Sequence, residues 1–92
     1  MDTVTATVRM TGRVQGVACR VWLRARARAL GLTGWVRNNP DGSVSALLQG
    51  DRDAVNDMVR ECWAGPGAAV VKDVQSAFVE GAERFDDFRI TG

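Results

Sequence analysis

Thr11-Gly12-Arg13-Val14-Gln15-Gly16-Val17-Ala18-Cys19-Arg20 joins an alternating stretch to a helical one, and the reading of the whole chain turns on it. Upstream, Thr5 to Met10 alternates and sets Ala6, Val8 and Met10 on one face, the pattern of a strand buried on one side. Downstream, from about Cys19 to Leu30, a stripe of Ala18, Trp22, Ala25 and Ala29 at three- and four-residue steps predicts a helix. Gly31 supplies its stop, and Arg26 and Arg28 suit the negative end of its dipole. The quoted stretch is therefore a strand-to-helix turn. Gly12 and Gly16 let the backbone fold tightly, and N–H groups at a helix start carry roughly half a positive charge. Arg20 lies in that first turn, where a cation is misplaced unless an anion sits beside it. The segment reads as a cradle for a phosphate-sized anion, with a guanidinium able to grip two oxygens at once. For Gly12 and Gly16 taken alone, an ordinary glycine-bearing turn with a solvated arginine is the competing reading.

Working outward, Leu32 to Asn38 predicts a second strand, with Thr33, Trp35 and Arg37 alternating against Gly34 and Val36. Asn39-Pro40-Asp41-Gly42 is a dense turn signal, and Ser43 to Leu48 is the partner strand of a hairpin. Asp51 is the expected N-cap of a second helix whose apolar face is Val55, Met58, Val59 and Cys62, closed by Gly65-Pro66-Gly67. Ala68 to Val79 predicts a long strand, bent or bulged near Lys72-Asp73, and Phe85, Phe88 and Ile90 mark a short final one. The order β-α-β-β-α-β is the split βαβ, ferredoxin-like arrangement: an α+β sandwich with an antiparallel sheet of four to five strands and two helices on one face. The expectation is a single domain over residues 1–92, with Trp22, Trp35 and Trp63 in the core.

Composition narrows the chemistry. Apolar residues make up 46% of the chain and charged ones 25%, with a net charge of +1, so no global field favours nucleic acid or an anionic membrane. No apolar run approaches a membrane span, and the N-terminal residues do not read as a secretory signal; a cytoplasmic monomer is expected. Histidine and tyrosine are absent, which removes the usual general base, the commonest zinc ligand and the Ser-His and Cys-His nucleophile pairs. Cys19 and Cys62 form no metal motif. Any catalysis must rest on positioning and electrostatics, or on carboxylates. Asp86 and Asp87 form a carboxylate pair with nothing nearby to support acid–base work, and Arg20, Arg24 and Arg28 read as a solvated helix stripe. Asn38, at the end of the second predicted strand, is either a turn former or an amide that holds a water in a fixed orientation. Spacing leaves both readings open and does not place Asn38 beside Arg20.

Two motifs then carry a resemblance. Gly12-Arg13-Val14-Gln15-Gly16-Val17 followed by Arg20 resembles the acylphosphatase signature Gly-x-Val-Gln-Gly-Val-x-Phe-Arg. Gly31-Leu32-x-Gly34-Trp35-Val36-x-Asn38, then Asp41-Gly42-x-Val44, resembles the second signature of the same family. The resemblance covers essentially the whole chain. It implies hydrolysis of a carboxyl-phosphate anhydride to a carboxylate and inorganic phosphate, with no metal and no cofactor. By the motif match, Arg20 binds the phosphoryl group together with N–H groups of Gln15, Gly16, Val17, Ala18 and Cys19, and Asn38 orients the attacking water. The implied partner is a small acyl phosphate, with neither nucleic acid nor membrane. The alternative is a non-catalytic domain of the same shape that binds an anion or a partner, as found within larger carbamoyl-transfer maturation factors. Single-strand RNA binding, which shares the element order, needs exposed aromatics that Thr5 to Met10 and Val70 to Val74 lack. Cys19 departs from the motif's phenylalanine; it is either a buried inert thiol or one made acidic by the helix start and Arg20.

Overall fold

The computed structural model describes residues 2–92 and leaves Met1 outside. In chain order the elements are β1 (Thr3–Arg13), α1 (Cys19–Ala29), β2 (Thr33–Asn38), β3 (Val44–Asp51), α2 (Arg52–Ala64), β4 (Val70–Val79) and β5 (Phe88–Ile90). The strands form one sheet in the order β4-β1-β3-β2-β5. The predicted β-α-β-β-α-β order is present, with its short extra strand.

Direction follows from register. β1 pairs antiparallel with β3 and with β4, and β3 pairs antiparallel with β2. β1 and β2 therefore run the same way, with β3 between them. β5 pairs parallel with β2, so the sheet is mixed rather than wholly antiparallel. The cause is the route from β4. That strand lies at the opposite edge, so the chain must cross beneath β1, β3 and β2 before returning upward as β5. Gln49 of β3 holds the crossing segment: its Nε2 donates to the Glu83 carbonyl at 2.9 Å, and its Oε1 accepts from the Phe85 N–H at 3.0 Å.

The inner face of the sheet carries Ala6, Val8 and Met10 from β1 and Val44, Ala46 and Leu48 from β3, each no more than 2% exposed. Against it α2 buries Val55, Met58 and Cys62 as its sequence predicts, with Val59 packed at the margin. Asp51 occupies the N-cap of α2 but makes no side-chain capping bond. In α1 the buried stripe is Cys19, Leu23 and Ala27, not Ala18, Ala25 and Ala29, which are exposed. Leu23 and Cys19 offer more apolar surface than the alanines, and alanine is indifferent to which side it faces. The tryptophans also differ from expectation: Trp63 is 51% exposed, while Trp22 is only half-buried at the margin of the core. Trp35 is half-buried, with the Arg37 guanidinium 5.0 Å from its ring centre.

Gly31 ends α1 as predicted. Its φ is 73°, its N–H reaches the Arg28 carbonyl at 3.0 Å, and the Leu32 N–H reaches the Ala27 carbonyl at 2.9 Å, the paired bonds of a Schellman motif. The bulge near Lys72-Asp73 is also present: Thr11 pairs with Asp73 and Gly12 with Val71, so Lys72 is the unpaired extra residue. Gly34 is the tightest point of the sheet. At φ 136° a Cβ there would lie 1.8 Å from the Leu47 carbonyl oxygen, whereas Gly42, at φ 93°, faces open space. Gly34→Ala should therefore cost about 3 kcal/mol and Gly42→Ala about 1 kcal/mol in urea unfolding; equal losses would contradict the close approach.

Candidate active site

The upper ends of β1, β2 and β5 and the start of α1 meet at one end of the sheet. β1 stops at Arg13, Val14 drops into the core at 1% exposure, and the chain turns through Gly16 and Ala18 into α1. Gly16 has φ 73° and Ala18 has φ 61°, the sole non-glycine with positive φ among the described residues. Ala18 is the N-cap of α1 and supplies no side-chain cap. A left-handed alanine costs about 1–2 kcal/mol, and the sequence gives no hint of it. The result is a concave run of backbone in which no N–H from Gly16 to Val21 meets an acceptor within the described residues. N–H groups left without acceptors at a helix start are the chemistry an anion can meet.

A cavity of about 310 Å³ opens over this run. Its polar walls are Arg20, Asn38 and the backbone at Gly16 and Ala18. Val14, Cys19, Val21 and Ile90 supply the apolar remainder, and among the described residues no carboxylate side chain lines it. Arg20 and Asn38, which spacing could not connect, thus face one space. They also share an acceptor: Arg20 Nη1 donates to the Gly92 backbone oxygen at 2.5 Å, and the Asn38 N–H donates to the same oxygen at 3.3 Å. Asn38 Oδ1 is buried with no hydrogen-bond partner, a costly condition unless a ligand or solvent donor meets it.

Gln15 and Val17 are not on the cavity walls. The Gln15 side chain points instead to the β2–β3 hairpin, donating from Nε2 to the Asn39 carbonyl at 2.8 Å and the Ser43 carbonyl at 2.9 Å. It therefore clamps the loop to the hairpin that carries Asn38. The network continues through the hairpin, with Asn39 Nδ2 donating to Ser43 Oγ at 2.9 Å and to Ser45 Oγ at 2.6 Å. Asp41 Oδ1 accepts from the Ser43 hydroxyl at 2.6 Å and from its N–H at 3.0 Å, and Arg9 pairs with Asp41 from β1. These bonds, the Ser43 hydroxyl foremost, hold the Asp41 carboxyl down at about 2. Sequence reading saw only a turn here; Asx chemistry at Asn39 and Asp41 was the signal that these side chains bond locally.

Cys19 is 2% exposed, and burial pushes its thiol above its ordinary value. The direction of that shift, set by burial, is that of the inert reading and opposite to the acidic one. Burial likewise lifts Cys62 to about 12, with the neighbouring Cys19 and Glu61 adding to the effect. Asp87, read as a surface charge, ion-pairs with Arg28 at 3.0 Å, while Arg28 also caps the Phe88 carbonyl at 2.9 Å.

The acylphosphatase family model matches residues 6–90. The chain belongs to the acylphosphatase family. An acylphosphatase of Rhizobium meliloti (strain 1021) is 52% identical over 90 residues, covering 98% of this chain and 95% of that protein. Among solved structures, an acylphosphatase from Coxiella burnetii superposes with TM-score 0.94 at 34% identity, over 98% of this chain and 94% of the other. The acylphosphatase from Bacillus subtilis gives TM-score 0.93 at 29% identity, over 97% and 99%.

Two predictions follow from the local electrostatics. A carboxyl depressed in the folded state stabilises above its ordinary value of 3.8 and loses that stability as pH falls towards about 2. Asp41→Asn should therefore flatten the acid limb of a stability–pH curve in that window while leaving its slope near neutrality unchanged. A disulfide-exchange reagent such as dithiobisnitrobenzoate should label neither Cys19 nor Cys62 in the folded protein and both after unfolding; rapid labelling of folded Cys19 would contradict its burial.

Proposed function

We propose that the cavity between the Gly16–Ala18 turn and the end of β2 is where this acylphosphatase hydrolyses acyl phosphates, with Arg20 and Asn38 as its catalytic residues. One observation carries the assignment: Arg20 and Asn38, the latter with a buried and unpaired amide oxygen, line a single cavity at the start of a helix whose first N–H groups have no acceptor among the described residues. Arg20 and the N–H groups of the loop from Gln15 to Cys19 hold the phosphoryl oxygens, with Gly16, Val17 and Ala18 forming the curve of the cradle. Gln15 contributes its backbone there while its side chain secures the hairpin. Asn38 Oδ1 accepts a hydrogen bond from the attacking water and turns the water's lone pair toward phosphorus.

The reaction balances without a protein base. The water oxygen bonds to phosphorus, the bond from phosphorus to the acyl oxygen breaks, and the carboxylate leaves with that electron pair. The water proton passes to a phosphoryl oxygen. Carboxylate is a good leaving group and the phosphoryl transition state is loose, so positioning and charge stabilisation suffice. That chemistry accommodates a chain with no histidine. Charge neutralisation by Arg20 and the helix start makes a metal unnecessary, and among the described residues no carboxylate side chain lines the cavity to hold one.

The same reading extends to setting. No helix among the described residues is long and apolar enough to cross a membrane. With a net charge of +1, we propose residues 1–92 as one catalytic unit, a cytoplasmic monomer acting on a small molecule and not on nucleic acid.

Steady-state hydrolysis of benzoyl phosphate with excess chelator tests the roles. Arg20→Ala should raise KM and lower kcat, for a loss of about 10³-fold in kcat/KM, whereas Asn38→Ala should lower kcat about 10²–10³-fold with KM little changed. Equal KM effects from both, or a chelator-sensitive wild-type rate, would sink the assignment.

A further inference from the structure

We infer that the acyl half of the substrate lies against Val21 and Ile90, and that this enzyme selects acyl phosphates whose acyl group is uncharged and apolar. The inference rests on the phosphoryl group occupying the Arg20 end of the cavity. With that end taken, the apolar walls are what remain. Val14 and Cys19 are 1% and 2% exposed and belong to the core beneath the cradle, so they form a floor. Val21 is different. It is 52% exposed, in the first turn of α1, and yet lines the cavity. Ile90, half-buried on β5, faces the same space from the other wall.

Folding does not account for Val21. It points away from the buried stripe of Cys19, Leu23 and Ala27, and a β-branched residue has no advantage in an exposed helical turn. An exposed apolar side chain at the mouth of a cavity is instead suited to a ligand that covers it. The charges exclude the opposite class. Among the described residues Arg20 is the only charged side chain on the walls, and on the proposed reading it holds the phosphoryl group; Arg24, the next turn along α1, is not on them. A second anionic group on the acyl part would lie between Val21 and Ile90, giving up part of its hydration to apolar walls with no lining cation to pair it.

The test compares benzoyl phosphate with 3-carboxybenzoyl phosphate, each rate normalised to its uncatalysed hydrolysis, in wild type, Val21→Thr and Val21→Lys. Inorganic phosphate inhibition serves as an independent readout of the Arg20 end. Wild type should favour benzoyl phosphate at least about tenfold in kcat/KM. Val21→Thr, which keeps the shape and adds a hydroxyl, should narrow that preference about threefold through KM, with phosphate inhibition unchanged. Val21→Lys should raise kcat/KM for the carboxylated substrate above the wild-type value. Equal rates on both substrates in wild type, or a preference that neither variant moves, would overturn the inference while leaving the hydrolytic assignment intact. Hydrolysis of neither substrate, with phosphate still bound, would overturn both.

Discussion

The antiparallel pairing of β3 with β1 on one side and β2 on the other is the constraint from which the site follows. Two strands that each oppose a common neighbour must run in the same direction, so β1 and β2 end together at one edge of the sandwich. The turn after β1 can then present N–H groups, and the last residue of β2 can present an amide, to one cavity. β5 reaches the same end because the crossing segment held by Gln49 forces it to run parallel to β2, and the backbone beyond it supplies the oxygen that both Arg20 and Asn38 touch. β3 carries neither Arg20 nor Asn38. Its buried Val44, Ala46 and Leu48 fix the spacing of the strands that do.

The elements with strong physical contrast were legible in the sequence. Ala6, Val8 and Met10 alternate against polar residues, Val55, Met58 and Cys62 recur at helical steps, and Gly31 marks a stop that only a positive φ explains. The bulge at Lys72 was legible as well, as a break in an otherwise apolar strand. Contrast fails in α1, where alanines alternate with arginines and the small side chains do not report which face is buried; Cys19, Leu23 and Ala27 win on packing volume. The site divides in the same way. A cradle with Arg20 could be read from glycines followed by a helix, because that is local chemistry. Its meeting with Asn38 could not, because the meeting depends on strand order, and the motif resemblance supplied what spacing left open. Gln15 shows a further limit: its type and position suggested a place in the cradle, while its side chain serves as a clamp to carbonyls in the hairpin, contacts that exist only after the sheet has formed.

Rigidity is concentrated around the proposed site. Arg20 is an exchangeable surface side chain in most helix starts, but here its Nη1 is tethered to a backbone oxygen that also receives the Asn38 N–H. The hairpin under Asn38 is cross-braced by Asn39, Ser43, Ser45 and Asp41, and Arg9 ties that brace to β1. Exposed ion pairs of the Arg9–Asp41 kind contribute little to overall stability. Their worth lies in fixing the turn geometry, and a chain without a histidine base depends on fixed geometry more than on proton affinity.

Cys19 tests how far such a scaffold tolerates change beneath the cradle. The motif has an aromatic at this position, and a thiol fills much less space. The smaller side chain is nevertheless fully enclosed, with Leu23 and Val14 buried beside it in the same core and Trp22 packed at its margin. Burial favours the neutral thiol, so the substitution places no negative charge under the proposed anion site. A thiolate at that position would oppose phosphate binding through the floor of the cavity. The core that encloses Cys19 therefore does two things with one packing arrangement: it supports the turn through Ala18, and it keeps the nearest ionisable group beneath that turn neutral.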